Sequence, residues 1–251
     1  MSQSAHPKPF VSACLIPGDR ITVALQQLRL VALNIDGVLL NDTFSPVIHH
    51  FVVSRGGTYS ADLERRIFSQ PRDVAGREMA AAVVPDLTGE EALSAYFADR
   101  DDYLRGNPVA RADGAVDLLH RVRLLGLGVV CYGGLDKEHF DRYLGDVADL
   151  FDGPGYVCTN DFRPGIREIA EIFGLEPDRT LFVDDVARVA EAARDLGASF
   201  IGVPTSFPHS HQRELMREAG VRHLVDRLGA IDETLLRAVD AEAALDPARQ
   251  R

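Results

Sequence analysis

Apolar residues in this chain fall into two patterns. Some form short unbroken runs that end at a glycine or a carboxylate, and others recur every three or four residues along longer stretches. The run Leu30-Val31-Ala32-Leu33-Asn34-Ile35-Asp36-Gly37 predicts a strand over 28–35, buried on both faces and closed by Gly37. Similar runs predict strands at 128–132, 155–158, 180–183 and 200–203, with a short sixth at 223–225. Helical periodicity lies between them, over 113–125, 136–144, 166–173, 187–196 and 232–245. Gly126 and Gly197 stop two of these helices, and Pro164 fits the first position of another. Strands alternating with helices predict an α/β fold, a doubly wound parallel sheet.

Residues 41–108 break the alternation. They hold no strand-like run, only amphipathic stretches at 61–68, 75–84 and 90–104. Thr88, followed three residues on by Glu91, has the form of a helix N-cap. The block predicts a helical cap at 41–108, inserted into a core made of residues 1–40 and 109–251. Residues 1 to about 20 carry Pro7, Pro9, Pro17 and Gly18 without a clear period, which predicts an irregular arm packed at its 11–16 end.

Charge narrows the choice of partners. The net charge of −11 over 251 residues argues against nucleic-acid binding through a basic face. No apolar run approaches the ~20 residues of a membrane span, and the N-terminus lacks the pattern of a secretion signal. Cys14, Cys131 and Cys158 have no metal-ligand spacing and are too few for a disulfide framework, so a cytoplasmic location is expected. An acidic protein that handles anions needs a local positive site or a metal.

Polar residues cluster at the predicted strand ends. Asn34 and Asp36 share one face of their strand and close its carboxyl end, where open α/β sheets bind ligands. Cys131 ends the second strand, Arg163 opens a helix, and Asp184 and Asp185 end a further strand. Three acids at one sheet edge repel unless a cation sits among them, and carboxylate oxygens suit Mg²⁺.

In order, spacing and flanking pattern, residues 28–205 resemble the haloacid dehalogenase-like (HAD) superfamily, mostly phosphatases. Leu33-Asn34-Ile35-Asp36-Gly37-Val38 is similar to its first motif, two aspartates around one residue. Val129-Val130-Cys131-Tyr132-Gly133 is similar to the second, which ends in Thr or Ser, and Arg163-Pro164 to the third, usually Lys-Pro. Phe182-Val183-Asp184-Asp185 is similar to the fourth. The resemblance implies a nucleophile at position 34, an acid/base at Asp36, phosphate-binding groups at Cys131, Tyr132 and Arg163, and Mg²⁺ held by Asp36, Asp184 and Asp185. The departures bear on activity. An amide at 34 is a far weaker nucleophile than a carboxylate, a thiol is a poorer donor than a hydroxyl, and Arg163 presents a planar fork instead of a point charge.

The function implied is Mg²⁺-dependent hydrolysis of a phosphate monoester on a small phosphorylated metabolite, impaired by Asn34. Two alternatives stand beside it. One is a catalytically silent protein that binds a phosphometabolite or a protein partner; the other is different chemistry with Asp36 as acid or base. Asn34 is either an introduced change in an enzyme whose native residue is Asp or a natural divergence, and the departures at Cys131 and Arg163 favour the second. His49-His50 and Pro208-His209-Ser210-His211 read as loop histidines. Arg55, Arg65, Arg66, Arg72 and Arg77 read mainly as a solvated helix face.

Overall fold

The computed structural model describes residues 25–245, so the expected N-terminal arm and Cys14 lie outside the described residues. Five parallel strands form one sheet in the order β3-β2-β1-β4-β5: β1 (Leu30–Asn34), β2 (Gly128–Gly133), β3 (Tyr156–Cys158), β4 (Thr180–Asp184) and β5 (Ser199–Gly202). Each central strand is apolar on both faces because helices cover both sides. Leu30 and Ala32 pack in one apolar layer, and Val31 and Leu33 in the other. The expected sixth strand reduces to a single bridge between Gly202 and Leu224.

Four helices follow β1 before the chain reaches the helix that leads into β2: α1 (Ser45–Ser54), α2 (Ala61–Ile67), α3 (Arg72–Ala81) and α4 (Gly89–Leu104). Helix α4 opens on a capping box, with Thr88 Oγ1 accepting from Glu91 N and Glu91 accepting from Thr88 N, a device that stabilises a helix by about 1 kcal/mol. Helix α1 has no counterpart among the predicted helices. Asp42 Oδ1 starts it by accepting from the N–H groups of Phe44 and Ser45, both at 2.9 Å. The chain before α1 and the chain after α4 meet, since Asn41 exchanges hydrogen bonds with Ala110 and its side chain donates to Pro108 O.

The remaining helices are α5 (Ala115–Leu124), α6 (Lys137–Leu144), α7 (Ile166–Ile172), α8 (Ala187–Asp195), α9 (Gln212–Glu218) and α10 (Glu233–Leu245). Pro164 does not open α7 as expected. The helix begins at Ile166, and Gly165 stands at its N-cap with φ +84°, where a Cβ would run into Thr159.

Two buried carboxylates tie distant segments. Asp240 of α10 accepts from the N–H groups of Gln26, Gln27 and Leu28 at 2.7–2.9 Å, fixing the entry to β1. Glu64 of α2 is fully buried and accepts from Tyr59 Oη, His211 N and Gln212 Nε2 at 2.8, 2.9 and 2.9 Å. The other end of the Gln212 amide accepts from Ala187 N, at the start of α8. Burial pushes the Glu64 carboxyl up, and these donors pull the other way.

Candidate functional site

In a sheet of order 3-2-1-4-5 the strand order reverses at β1, so the carboxyl ends of β1 and β4 frame a crevice. Asn34 and Asp36 leave β1 there, and Asp184 and Asp185 leave β4. After Asn34 the chain turns tightly: Gly37 N donates to Leu40 O and Leu40 N to Ile35 O. Gly37 has φ +86°, and a Cβ on it would collide with Asp185 Oδ2. Its missing side chain is what lets the Asp185 carboxylate lie flat against the turn.

Asn34 joins the two strand ends. Its Nδ2 donates to Asp36 O at 2.9 Å and to Asp185 Oδ1 at 3.0 Å. The reverse orientation would aim a carbonyl oxygen at two other oxygens, so the amide donor faces them. Asp184 points elsewhere. It is 1% exposed and accepts from Tyr132 Oη and from Val186 N. Burial pushes Asp184 up to about 6, against the pull of the Tyr132 hydroxyl, and pushes Asp185 well above the usual carboxylate range, with Asp184 adding to it. Asp36 Oδ1 lies 2.9 Å from His139 Nε2 of α6.

Two sequence expectations are corrected by this geometry. Cys131 does not face a phosphate site. Residue 34 pairs with Tyr132, so Cys131 sits on the opposite face beside Leu33, fully buried in the apolar layer. The residue on Asn34's face is Tyr132, whose hydroxyl is taken by Asp184. The acids expected to hold Mg²⁺ do not converge either. Asp36 is turned to His139, Asp184 to Tyr132, and Asp185 to the Asn34 amide. Among the described residues no group of three or more His, Cys, Asp or Glu side chains could hold a metal ion. With an N–H₂ group between the two nearest oxygens, this donor set does not fit Mg²⁺.

Above the crevice lies a cavity of about 140 Å³, roofed by α1–α4. One end is basic. Arg72 of α3 donates through Nη2 to Gly134 O at 3.1 Å. A Cβ on Gly134 would collide with Arg163 Nη2, so that guanidinium rests against the same backbone. Neither arginine forms an ion pair with a carboxylate among the described residues, whereas Arg55, Arg65, Arg66 and Arg77 are paired with acids. The other end is apolar and holds Tyr96 and Asp42. Ser69, on its rim, has φ +54° and is the non-glycine residue in the left-handed region among those described. His49 and His50, expected on a loop, lie in α1; His49 stacks on His209 at 4.3 Å, meets Tyr59 and Phe207 edge-on, and does not line this cavity.

Sequence reasoning missed His139 and the inward turn of Arg72. No local pattern marks either. His139 is reached only once α6 is docked, and Arg72 is one arginine among seven in residues 41–108.

No family model matches the chain, and no curated protein matches it in sequence. Solved structures do. A HAD hydrolase, family IA, variant 3, from Entamoeba histolytica HM-1:IMSS matches with a TM-score of 0.63 at 13% identity, over 85% of this chain and 100% of that one. A β-phosphoglucomutase from Clostridium difficile gives 0.62 at 14% identity, over 87% and 100%. A HAD family hydrolase from Deinococcus radiodurans R1, solved with bound phosphate and sodium, gives 0.57 at 18% identity, over 88% and 98%. The chain therefore has the HAD-like fold, with a Rossmann-like parallel sheet.

Proposed function

We propose that this chain binds a phosphorylated small molecule between its core and the helical cap at 41–108, on a hydrolase-type scaffold whose phosphomonoester hydrolysis is impaired by Asn34. The convergence of Arg72 and Arg163 on Gly134 carries the reading. Two guanidinium groups without carboxylate partners, one from each side of a cavity, make a clamp for a planar or tetrahedral anion. The phosphate bound to the Deinococcus radiodurans protein of the same fold supports the choice of anion.

Covalent transfer to position 34 is the weak point. The Asn34 amide carries no negative charge, and its nitrogen is engaged by Asp36 O and Asp185. The Mg²⁺ dependence expected from the resemblance belongs to a site with a carboxylate at 34, not to the present donor set. A second reading rests on Asp36, whose carboxylate is oriented by His139. That pair can hold or release a proton beside a bound ligand and so serve acid/base chemistry that needs no nucleophile at 34.

The test is calorimetric titration of orthovanadate, phosphate and phosphate monoesters into the chain and into Arg163→Ala, Arg163→Lys and Arg72→Ala. Binding is expected in the parent, to weaken by about 30-fold or more in Arg163→Ala, and to recover in part in Arg163→Lys. Unchanged affinity in both alanine variants would refute the clamp. Phosphatase assays of the parent and Asn34→Asp then separate impairment from silence: turnover in the variant alone supports a hydrolase scaffold, and turnover in neither supports a binding protein.

A further inference from the structure

The insertion also meets the core outside the cavity, through a cluster of rings. His49 of α1 and Tyr59 belong to the insertion, and Phe207, His209 and His211 belong to the core segment between β5 and α9. The imidazoles of His49 and His209 lie face to face, with centroids 4.3 Å apart and planes 10° from parallel. Tyr59 and Phe207 meet the His49 ring edge-on at 5.0 and 5.5 Å, and Phe207 meets His209 edge-on at 5.4 Å. Beside them Tyr59 stacks on His211 at 6.2 Å. The histidines paired with carboxylates among the described residues are His139 and His223, so no acid neutralises a proton on either stacked ring.

Two neutral imidazoles stack as flat apolar rings, but histidine gains a charge close to neutral pH. With a proton on each ring the pair sets like charges about 4 Å apart, which in water shifts an equilibrium by about fivefold. The surroundings do not offset this. His50, next to His49 on α1, and His211, against Tyr59, add positive charge when they protonate. Glu64 of α2 is taken up by Tyr59 Oη, His211 N and Gln212 Nε2, and Asp42 at the start of α1 by the N–H groups of Phe44 and Ser45. Burial, and then His209 and His50, push the His49 imidazole below its usual value.

We propose that the stacked His49–His209 pair is an acid-sensitive clasp, which holds the insertion to the 207–212 segment when both rings are neutral and releases it when both are charged. His209 is exposed, so it leaves His49 without unpacking the core. Its segment also carries His211 N and Gln212, two of the donors to Glu64, so the clasp and the buried carboxylate belong to one contact. The separated rings take up protons more readily than the stacked ones. The contact is therefore at full strength above about pH 6.5 and is lost as pH falls below that value. The clasp acts whatever the cavity binds.

NMR titration of the histidine Cε1–H signals in the full chain is the first test. His209→Phe keeps a ring against His49 and removes its charge, and should raise the His49 midpoint by about 0.7 pH unit, a fivefold change. A midpoint that stays or falls overturns the proposal. Hydrogen exchange, expressed as protection relative to free peptide at each pH, reads the contact itself. Between about pH 7.5 and 5.5, protection over 59–64 and 207–212 should fall about fivefold further in the parent than in His49→Phe or His209→Phe, with β1 and β4 alike in all three. An equal fall in parent and variants, or none in the parent, overturns it. Should a variant fail to protect β1 and β4, the parent's titration decides: separate midpoints for the two rings support the clasp, and one shared midpoint near about 6.5, the free imidazole value, refutes it.

Discussion

Replacing Asn34 with aspartate exchanges a hydrogen-bond donor for a negative charge at the point where the ends of β1 and β4 are joined by side chains. The substitution removes the donation from Nδ2 to Asp185 Oδ1 at 3.0 Å and sets oxygen against oxygen at that separation. Two unit charges about 3 Å apart repel by about 5 kcal/mol at an effective dielectric of about 20. Loss of a hydrogen bond to a charged group adds about 1.5–3 kcal/mol. Sharing a proton between the two carboxylates relieves part of this, so a net loss on the order of 3 kcal/mol is expected at neutral pH. For a chain of this size that lowers the melting temperature by about 6–12 °C. The variant also gains what the parent lacks: two carboxylates and the Asp36 carbonyl facing one point, an all-oxygen set that suits Mg²⁺. Thermal melts of both proteins, in chelator and in millimolar Mg²⁺, read the result. The variant should melt well below the parent in chelator and regain about 2–3 kcal/mol when Mg²⁺ reaches about 100 times its dissociation constant. The parent should not respond. Equal melting temperatures in chelator, or an equal rise on adding Mg²⁺, would refute the reasoning.

Asp240→Ala leaves the N–H groups of Gln26, Gln27 and Leu28 without their acceptor, and urea unfolding should show a loss of about 2–4 kcal/mol. Gly37→Ala must move the Asp185 carboxylate as well as strain the turn; anion affinity and stability should both fall, whereas Gly174→Ala, also at positive φ but with open space around it, should cost stability alone. Asp185 has a folded pKa above that of the unfolded chain, so the folded state binds the extra proton. Its contribution is therefore fully present below about pH 4 and is lost as pH rises through its folded value. Asp184 follows the same sign, its contribution being lost between about pH 4 and the folded value of about 6. Urea midpoints taken across this range should fall less steeply in Asp185→Asn than in the parent, and parallel slopes would contradict the burial argument. Ser69→Gly relieves the left-handed backbone and should raise stability by about 1 kcal/mol, read as a shift of the urea midpoint.

The sheet was legible because a strand buried on both faces is an unbroken apolar run, and such runs ended where β1, β2 and β4 end. Helix α1 was not, because Ser45–Ser54 mixes Pro46 with Val47, Ile48, Val52 and Val53, residues that favour strands until packing overrides them. Helix α9, Gln212–Glu218, likewise had no counterpart among the predicted helices. Chain order marks the polar residues at the strand ends but not the side of the sheet on which they fall. The misplacement of Cys131 has that cause: register decides which of two neighbours faces the site, and a one-residue difference exchanges them. The pairing of Asn34 with Tyr132 is set by contacts between segments about a hundred residues apart, which no local pattern records. Asn34 and Asp185, 151 residues apart, meet for the same reason.

The Glu64–Gln212–Ala187 relay makes the insertion answer to the same turn that carries Asp185. One amide holds the buried carboxylate of α2 with its nitrogen and the first N–H of α8 with its oxygen. Separating α2 from α9 would take the His211 N–H and the Gln212 amide from Glu64 and leave it the Tyr59 hydroxyl alone of these three donors. A shortened or apolar residue at 212 would therefore remove one donor from the buried Glu64 carboxylate and the acceptor of Ala187 N in a single step, loosening α2 and the start of α8 together.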